Sequence, residues 1–170
     1  MLATWDFGLL LFLAIGAGYG FIFRRGQIVV LFVSSYISFV VISELGDKVV
    51  GVLEKSLKIS HYGAFAPMIA KLILFLIVMV FLAIWAEYLA ASSGKRGILN
   101  LIFSVIYGLL LAAMLLAIAS FFLTPELEIQ ILALSRLSFY IIQYRTAWLL
   151  APAVLMLISG FAMARKEKNG

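Results

Sequence analysis

The sequence predicts an all-α membrane protein: a polytopic transmembrane helical bundle of five spans, four plus an extra C-terminal one, with two amphipathic interfacial helices. Three observations lead there. First, the chain of 170 residues is 65% hydrophobic and only 12% charged, with a mean hydropathy of +1.17. A water-soluble domain is nearer half apolar and a quarter charged, so this chain would expose extensive apolar surface in water and is suited to a bilayer. Second, apolar runs fall at about residues 5–23, 27–44, 67–89, 98–123 and 147–164. Each is close to the ~20 residues a helix needs to cross ~30 Å of hydrocarbon. Third, basic residues gather in short breaks between the runs, where they act as orientation signals. The length fits a single membrane domain covering 1–170.

The first run follows Asp6, with no Lys or Arg before it, so it lacks the positive flank of a secretory signal and reads as a retained span. It holds Gly8, Gly16, Gly18 and Gly20. In water each glycine would weaken a helix by about 1 kcal/mol relative to alanine. In lipid the backbone must bond to itself, so the helix persists and bare positions let a neighbour approach. Gly16 and Gly20, four apart, form a small-xxx-small packing surface. The break Arg24-Arg25-Gly26 returns the chain into the second run, so Trp5 to Leu45 reads as a helical hairpin around which the rest is organised. Ser34, Ser35, Tyr36 and Ser38 lie in that second run, Ser34 and Ser38 on one face. Serines in a span bond their own backbone or an adjacent helix.

Residues 45–59 change character. Leu45, Val49, Val52, Leu53 and Leu57 recur at helical spacing among Asp47, Lys48, Glu54, Lys55 and Lys58. This is an amphipathic helix lying on the membrane surface or capping the bundle. Ser60 to Gly63 reads as a loop, and Pro67 suits the first turn of the third run. In that run Lys71 can snorkel to an interface, while Trp85 and Tyr88 suit the interfacial aromatic belt.

The fourth run carries Asn100, Ser104, Gly108 and Ala112 at four-residue steps. This small stripe is the strongest packing signal in the chain, and the Gly16–Gly20 face is its expected partner. Thr124-Pro125 ends the run. Residues 126–145 form a second amphipathic stretch, for which a surface-lying and a re-entrant placement are both open. The last run contains Pro152 a turn inside its start and closes on Arg165, Lys166, Glu167 and Lys168.

With five spans, Arg24 and Arg25, Lys95 and Arg96, and Arg165, Lys166 and Lys168 all fall on one side of the membrane. These topology anchors predict the N-terminus outside and the C-terminus in the cytoplasm. The net charge of +5 and pI of 9.6 therefore report orientation and contact with anionic lipid, and nucleic acid is not an expected partner.

Catalytic chemistry has little to work with. The chain has no cysteine, which removes disulfides, thiol catalysis and thiolate metal sites. His61 is the single histidine, and neither H-E-x-x-H nor G-x-S-x-G occurs. No catalytic, cofactor or metal site is expected, and the chain does not read as an enzyme. Glu87 is the candidate intramembrane ionisable residue, since charge inside a span is costly and often functional. Its place near a helix end leaves two readings: an interfacial carboxylate paired with Lys95 or Arg96, or a proton or ion site.

The order Asp6, a Gly-rich helix with Gly16 to Gly20, the Arg25-Gly26 break and a second apolar helix resembles the colicin V production protein family of bacterial inner-membrane proteins. The turn at Lys95-Arg96 leading through Asn100, Ser104 and Tyr107-Gly108 is similar to that family's later helix, and Ser135-Arg136-Leu137 looks like its following segment. Asn and Ser stand where two glycines are usual, Tyr107 stands where arginine is common, and the fifth run departs from the family's four spans. The resemblance, over roughly residues 5–140, implies a non-enzymatic protein linked to toxin export or envelope physiology. Its partners would be the bilayer and other membrane proteins, or further copies of itself. The alternative is a small transporter or channel subunit, acting alone or as an oligomer, with a polar path lined by Ser34, Ser38, Asn100, Ser104 or Glu87.

Overall fold

An apolar run in lipid has to close its own backbone hydrogen bonds, and the described apolar runs do so as α-helix. The computed structural model describes residues 2–23, 25–57, 65–89 and 98–168, with side chains over 5–23, 26–52, 65–85 and 101–158. Among the described residues the elements are α1 (Leu2–Ile22), α2 (Arg25–Leu57), α3 (Ala66–Leu89), α4 (Ile98–Phe121), α5 (Pro125–Leu134), α6 (Arg136–Gln143) and α7 (Arg145–Lys168). The fold is an all-helical bundle with several helices fit to span a membrane. Trp5–Ile22, Gly26–Val52, Ala66–Trp85 and Leu101–Phe121 are each long and apolar enough, and α6 with α7 makes a fifth candidate as a pair bent by 65°.

The second run and the amphipathic stretch expected over 45–59 are not separate elements: α2 continues unbroken for 33 residues. At 1.5 Å per residue it is about 50 Å long, well beyond ~30 Å of hydrocarbon. No proline interrupts it, and Gly46, where a break would be easiest, is buried against Ile42 and the Lys71 side chain of α3. Packing against α3 carries the helix through the change in polarity.

The stretch expected over 126–145 is two short helices. Pro125 opens α5 at its first position, where the missing N–H costs nothing. Ser135 is extended (φ −152°, ψ 129°) and separates α5 from α6, then caps α6 by accepting the Ser138 N–H at 3.0 Å. Tyr144 separates α6 from α7.

The element at the centre is α4, not the first hairpin. Half of Leu101–Phe121 is buried in the protein, against 33% of Gly26–Val52 and 6% of both Trp5–Ile22 and Ala66–Trp85. Helix α4 packs on α1, α2, α6 and α7, while α3 is held by α2. The core joins Ile28 and Phe32 of α2, Phe75 of α3 and Tyr107, Leu111, Met114 and Ile118 of α4. Ring contacts of Phe32 with Tyr107 and of Phe39 with Phe121 and Phe122 show that α2 and α4 run parallel. Contacts from Gly16 to Ala112 and from Gly20 to Ser104 show that α1 runs antiparallel to α4. The start of α1, the C-terminal part of α2, the start of α3 and the end of α4 thus share one end of the bundle, here called the Asp6 end.

Candidate functional site

Helices α1 and α4 meet backbone to backbone along one seam. A methyl group at Gly16 would lie 2.8 Å from the Gly108 carbonyl oxygen and would run into Ala112. One at Gly20 would lie 2.9 Å from the Ser104 carbonyl carbon, and one at Gly108 2.7 Å from the Gly20 nitrogen. These are below any tolerable carbon contact, so the backbones touch because side chains are missing on both sides. The structure brings Gly16, Gly20, Ser104, Gly108 and Ala112 into one seam. Gly8 and Gly18 have nothing within 4 Å of where a methyl would stand, so α1 uses its glycines on one face only.

Helix α7 is joined to the core by two tyrosines. The Tyr36 hydroxyl of α2 donates to the Leu149 carbonyl and meets the Ala153 N–H. In an unperturbed helix those two backbone groups would bond each other. Pro152 lies between them and is itself fully buried, so a neighbouring side chain enters the ladder where proline already weakens it. Tyr107 of α4 donates to the Leu155 carbonyl at 3.4 Å, a long bond to the same helix. The span serines bond as such residues do in lipid: Ser38 to the Ser34 carbonyl at 2.7 Å, Ser120 to the Ala117 carbonyl at 2.6 Å, and Ser35 across to the Met79 sulfur at 3.2 Å.

Three polar contacts mark the Asp6 end. The Asp6 carboxylate of α1 accepts from the Ser135 hydroxyl and from the Leu137 N–H at 3.3 Å, so it sits on the N-terminus of α6, where the helix dipole favours an anion. Lys71 of α3 pairs with Asp47 of α2 at 2.6 Å; Asp47 is 80% exposed, so the pair contributes well under about 1 kcal/mol. Arg145 stands over the Phe121 ring at 4.6 Å and 3.9 Å from the Glu128 carboxylate. At this end of the bundle Lys71 is thus a paired cation.

The Asp6–Ser135 bond spans 129 positions and was not legible as a contact. A lone carboxylate inside the first turns of a span was its one sequence signal, because such a charge needs a partner. The same holds for Tyr36, whose acceptor is a backbone atom that no residue type announces.

Several residues singled out in the sequence lie outside this description. Arg24, Lys95 and Arg96 are beyond the described residues, as are His61 and the side chains of Arg25, Glu87, Asn100, Arg165, Lys166 and Lys168. Ser34, Ser38 and Ser104 are buried within the bundle. Among the described residues no group of three His, Cys, Asp or Glu could hold a metal ion. Two buried polar atoms there, Thr124 Oγ1 and Trp148 Nε1, have no hydrogen-bond partner within the protein. No protein-family model matches the sequence, and neither a curated protein nor a solved structure does.

Proposed function

We propose that this protein is a non-enzymatic component of the bacterial inner membrane, accessory to toxin export or envelope physiology as the colicin V production resemblance implies, and that it acts by contacting other membrane proteins in the bilayer. The supporting observation is where interior polar side chains are spent. Tyr36, Tyr107, Ser35 and Asp6 each bond from one helix to another. Such bonds hold helices together in lipid. The N-terminus lies outside and the Arg24-Arg25, Lys95-Arg96 and Arg165–Lys168 anchors face the cytoplasm.

The test is site-specific photocrosslinking in native membranes from the exposed positions Ile15 of α1 and Ile77 of α3, combined with co-purification. One protein recovered in stoichiometric amount at either site supports the accessory role. Solute flux in proteoliposomes of the purified chain, with lipid-only adducts in the membrane, replaces it with the transporter reading. That second reading draws on one observation: Ser34, Ser35 and Ser38 are all buried on α2 inside its apolar span. A reporter fused at Lys95 that reads as external would refute the orientation.

A further inference from the structure

Helix α6 divides cleanly by face. Ser138, Ile141 and Ile142 are buried against the bundle, whereas Arg136, Phe139, Tyr140 and Gln143 are exposed. The exposed aromatics form a cluster: Phe139 meets Tyr140 edge to face at 5.9 Å, and Tyr140 stacks on exposed Tyr144 at 6.5 Å. Large rings, two of them with hydroxyl tips, set beside a guanidinium and an amide, are disfavoured in bulk water and in hydrocarbon alike. They match the boundary between them.

The depth of α6 follows from its two ends. Its first end is Ser135, which donates to Asp6 near the start of the first span. Its second end adjoins Arg145, which lies over Phe121, the last residue of α4, and near Glu128 in the first turn of α5. Both ends therefore stand at the level where the spans end. A re-entrant turn would carry Ser135 toward the middle of the bilayer, away from that level. Nor must α6 supply crossing length: between Arg145 and Arg165, α7 has 19 uncharged residues, about 28 Å of helix against ~30 Å of hydrocarbon. The 65° bend between α6 and α7 sets α6 across the direction of the span.

We infer that α6 lies in the headgroup–acyl boundary of the membrane leaflet at the Asp6 end, its Phe139–Tyr140–Tyr144 cluster docked on lipid. The segment from Pro125 to Arg145 carries two acids, Glu126 and Glu128, and two bases, Arg136 and Arg145, so its net charge is zero. The lipid contact is consequently made by rings and apolar area, and anionic headgroups are not required.

The native chain has no cysteine, so single labels can be placed without background. Phe139→Cys, Gln143→Cys and, as a mid-span reference, Ile77→Cys are spin-labelled at these exposed positions. The variants are reconstituted in phosphatidylcholine vesicles and in phosphatidylcholine mixed with phosphatidylglycerol. Collision with oxygen and with a water-soluble nickel chelate then gives the depth of each label. The expected result is a boundary depth at 139 and 143, far shallower than at 77 and unchanged by the anionic lipid. Depths equal to that at 77 would establish a re-entrant helix. Full access to nickel with little to oxygen would put the face in water, and shielding from both would put it under another protein. Any of those three outcomes overturns the inference, and the two labels on one face check each other against local misfolding.

Discussion

Helices α3 and α4 are the same length, 24 residues, and nearly equal in apolar character. Their fates are opposite. Half of the α4 span is buried and 6% of the α3 span is. Apolar character cannot separate them, because lipid tails are as good a solvent for leucine as another helix is. Shape does. Ser104, Gly108, Ala112, Ala113, Ala117 and Ser120 leave α4 slim on several sides, and all of them are buried. Helix α3 is bulky around most of its circumference, and Ile73, Ile77, Val80, Phe81 and Ile84 face outward. In a bilayer the helix that others can approach becomes the core.

The largest break in that comparison comes from filling the α1–α4 seam. Gly108→Leu should destabilise the bundle by about 3 kcal/mol, the upper part of the overpacking range, because the new side chain meets α1 backbone. The paired control is Gly18→Ala, which meets nothing and should raise stability by up to about 1 kcal/mol through helix propensity alone. Denaturation in mixed micelles, followed by circular dichroism, measures both. Equal losses at the two sites would remove the seam from the account.

Next in size is the Asp6 clasp. Asp6→Ala removes a charge-assisted acceptor from Ser135 and Leu137 and should cost about 1.5–2 kcal/mol, with Asp6→Asn retaining part of it. Limited proteolysis between α5 and α6 should speed up in step. A smaller effect, about 1 kcal/mol, is expected for Tyr36→Phe, which deletes the hydroxyl that donates to Leu149 beside Pro152. Hydrogen exchange should rise locally in α7 around Ala153. At the bottom of the scale, Ile77→Leu on the lipid face of α3 should change stability by less than about 0.5 kcal/mol, since it swaps one lipid-facing alkane for another. A loss there as large as at Gly108 would mean that α3 is as closely packed as α4.

Much of the architecture was readable in advance, and the reasons differ by element. Span positions followed from long apolar runs, which lipid demands of any crossing helix. The small stripe in α4 announced a close contact because glycine, serine and alanine have few other uses in a row at that spacing. The unbroken run of α2 to Leu57 was not legible: charges after Ser43 suggested a new element, yet burial of Gly46 against Lys71 carries the helix onward. The break at Ser135 was equally hidden, since nothing in a serine between leucine and arginine states that it ends one helix and caps the next.

By itself, then, the sequence determined the solvent, the helical class and the positions of the apolar runs, because each is dictated locally by hydropathy and by the need to close backbone hydrogen bonds. Only the tertiary structure decided that α4 is the centre, that α1 lies against it along Gly16 and Gly20, and that Asp6 finds Ser135, 129 positions along the chain. Those choices turn on which surfaces fit and which polar atoms find one another, and apolar pattern carries neither.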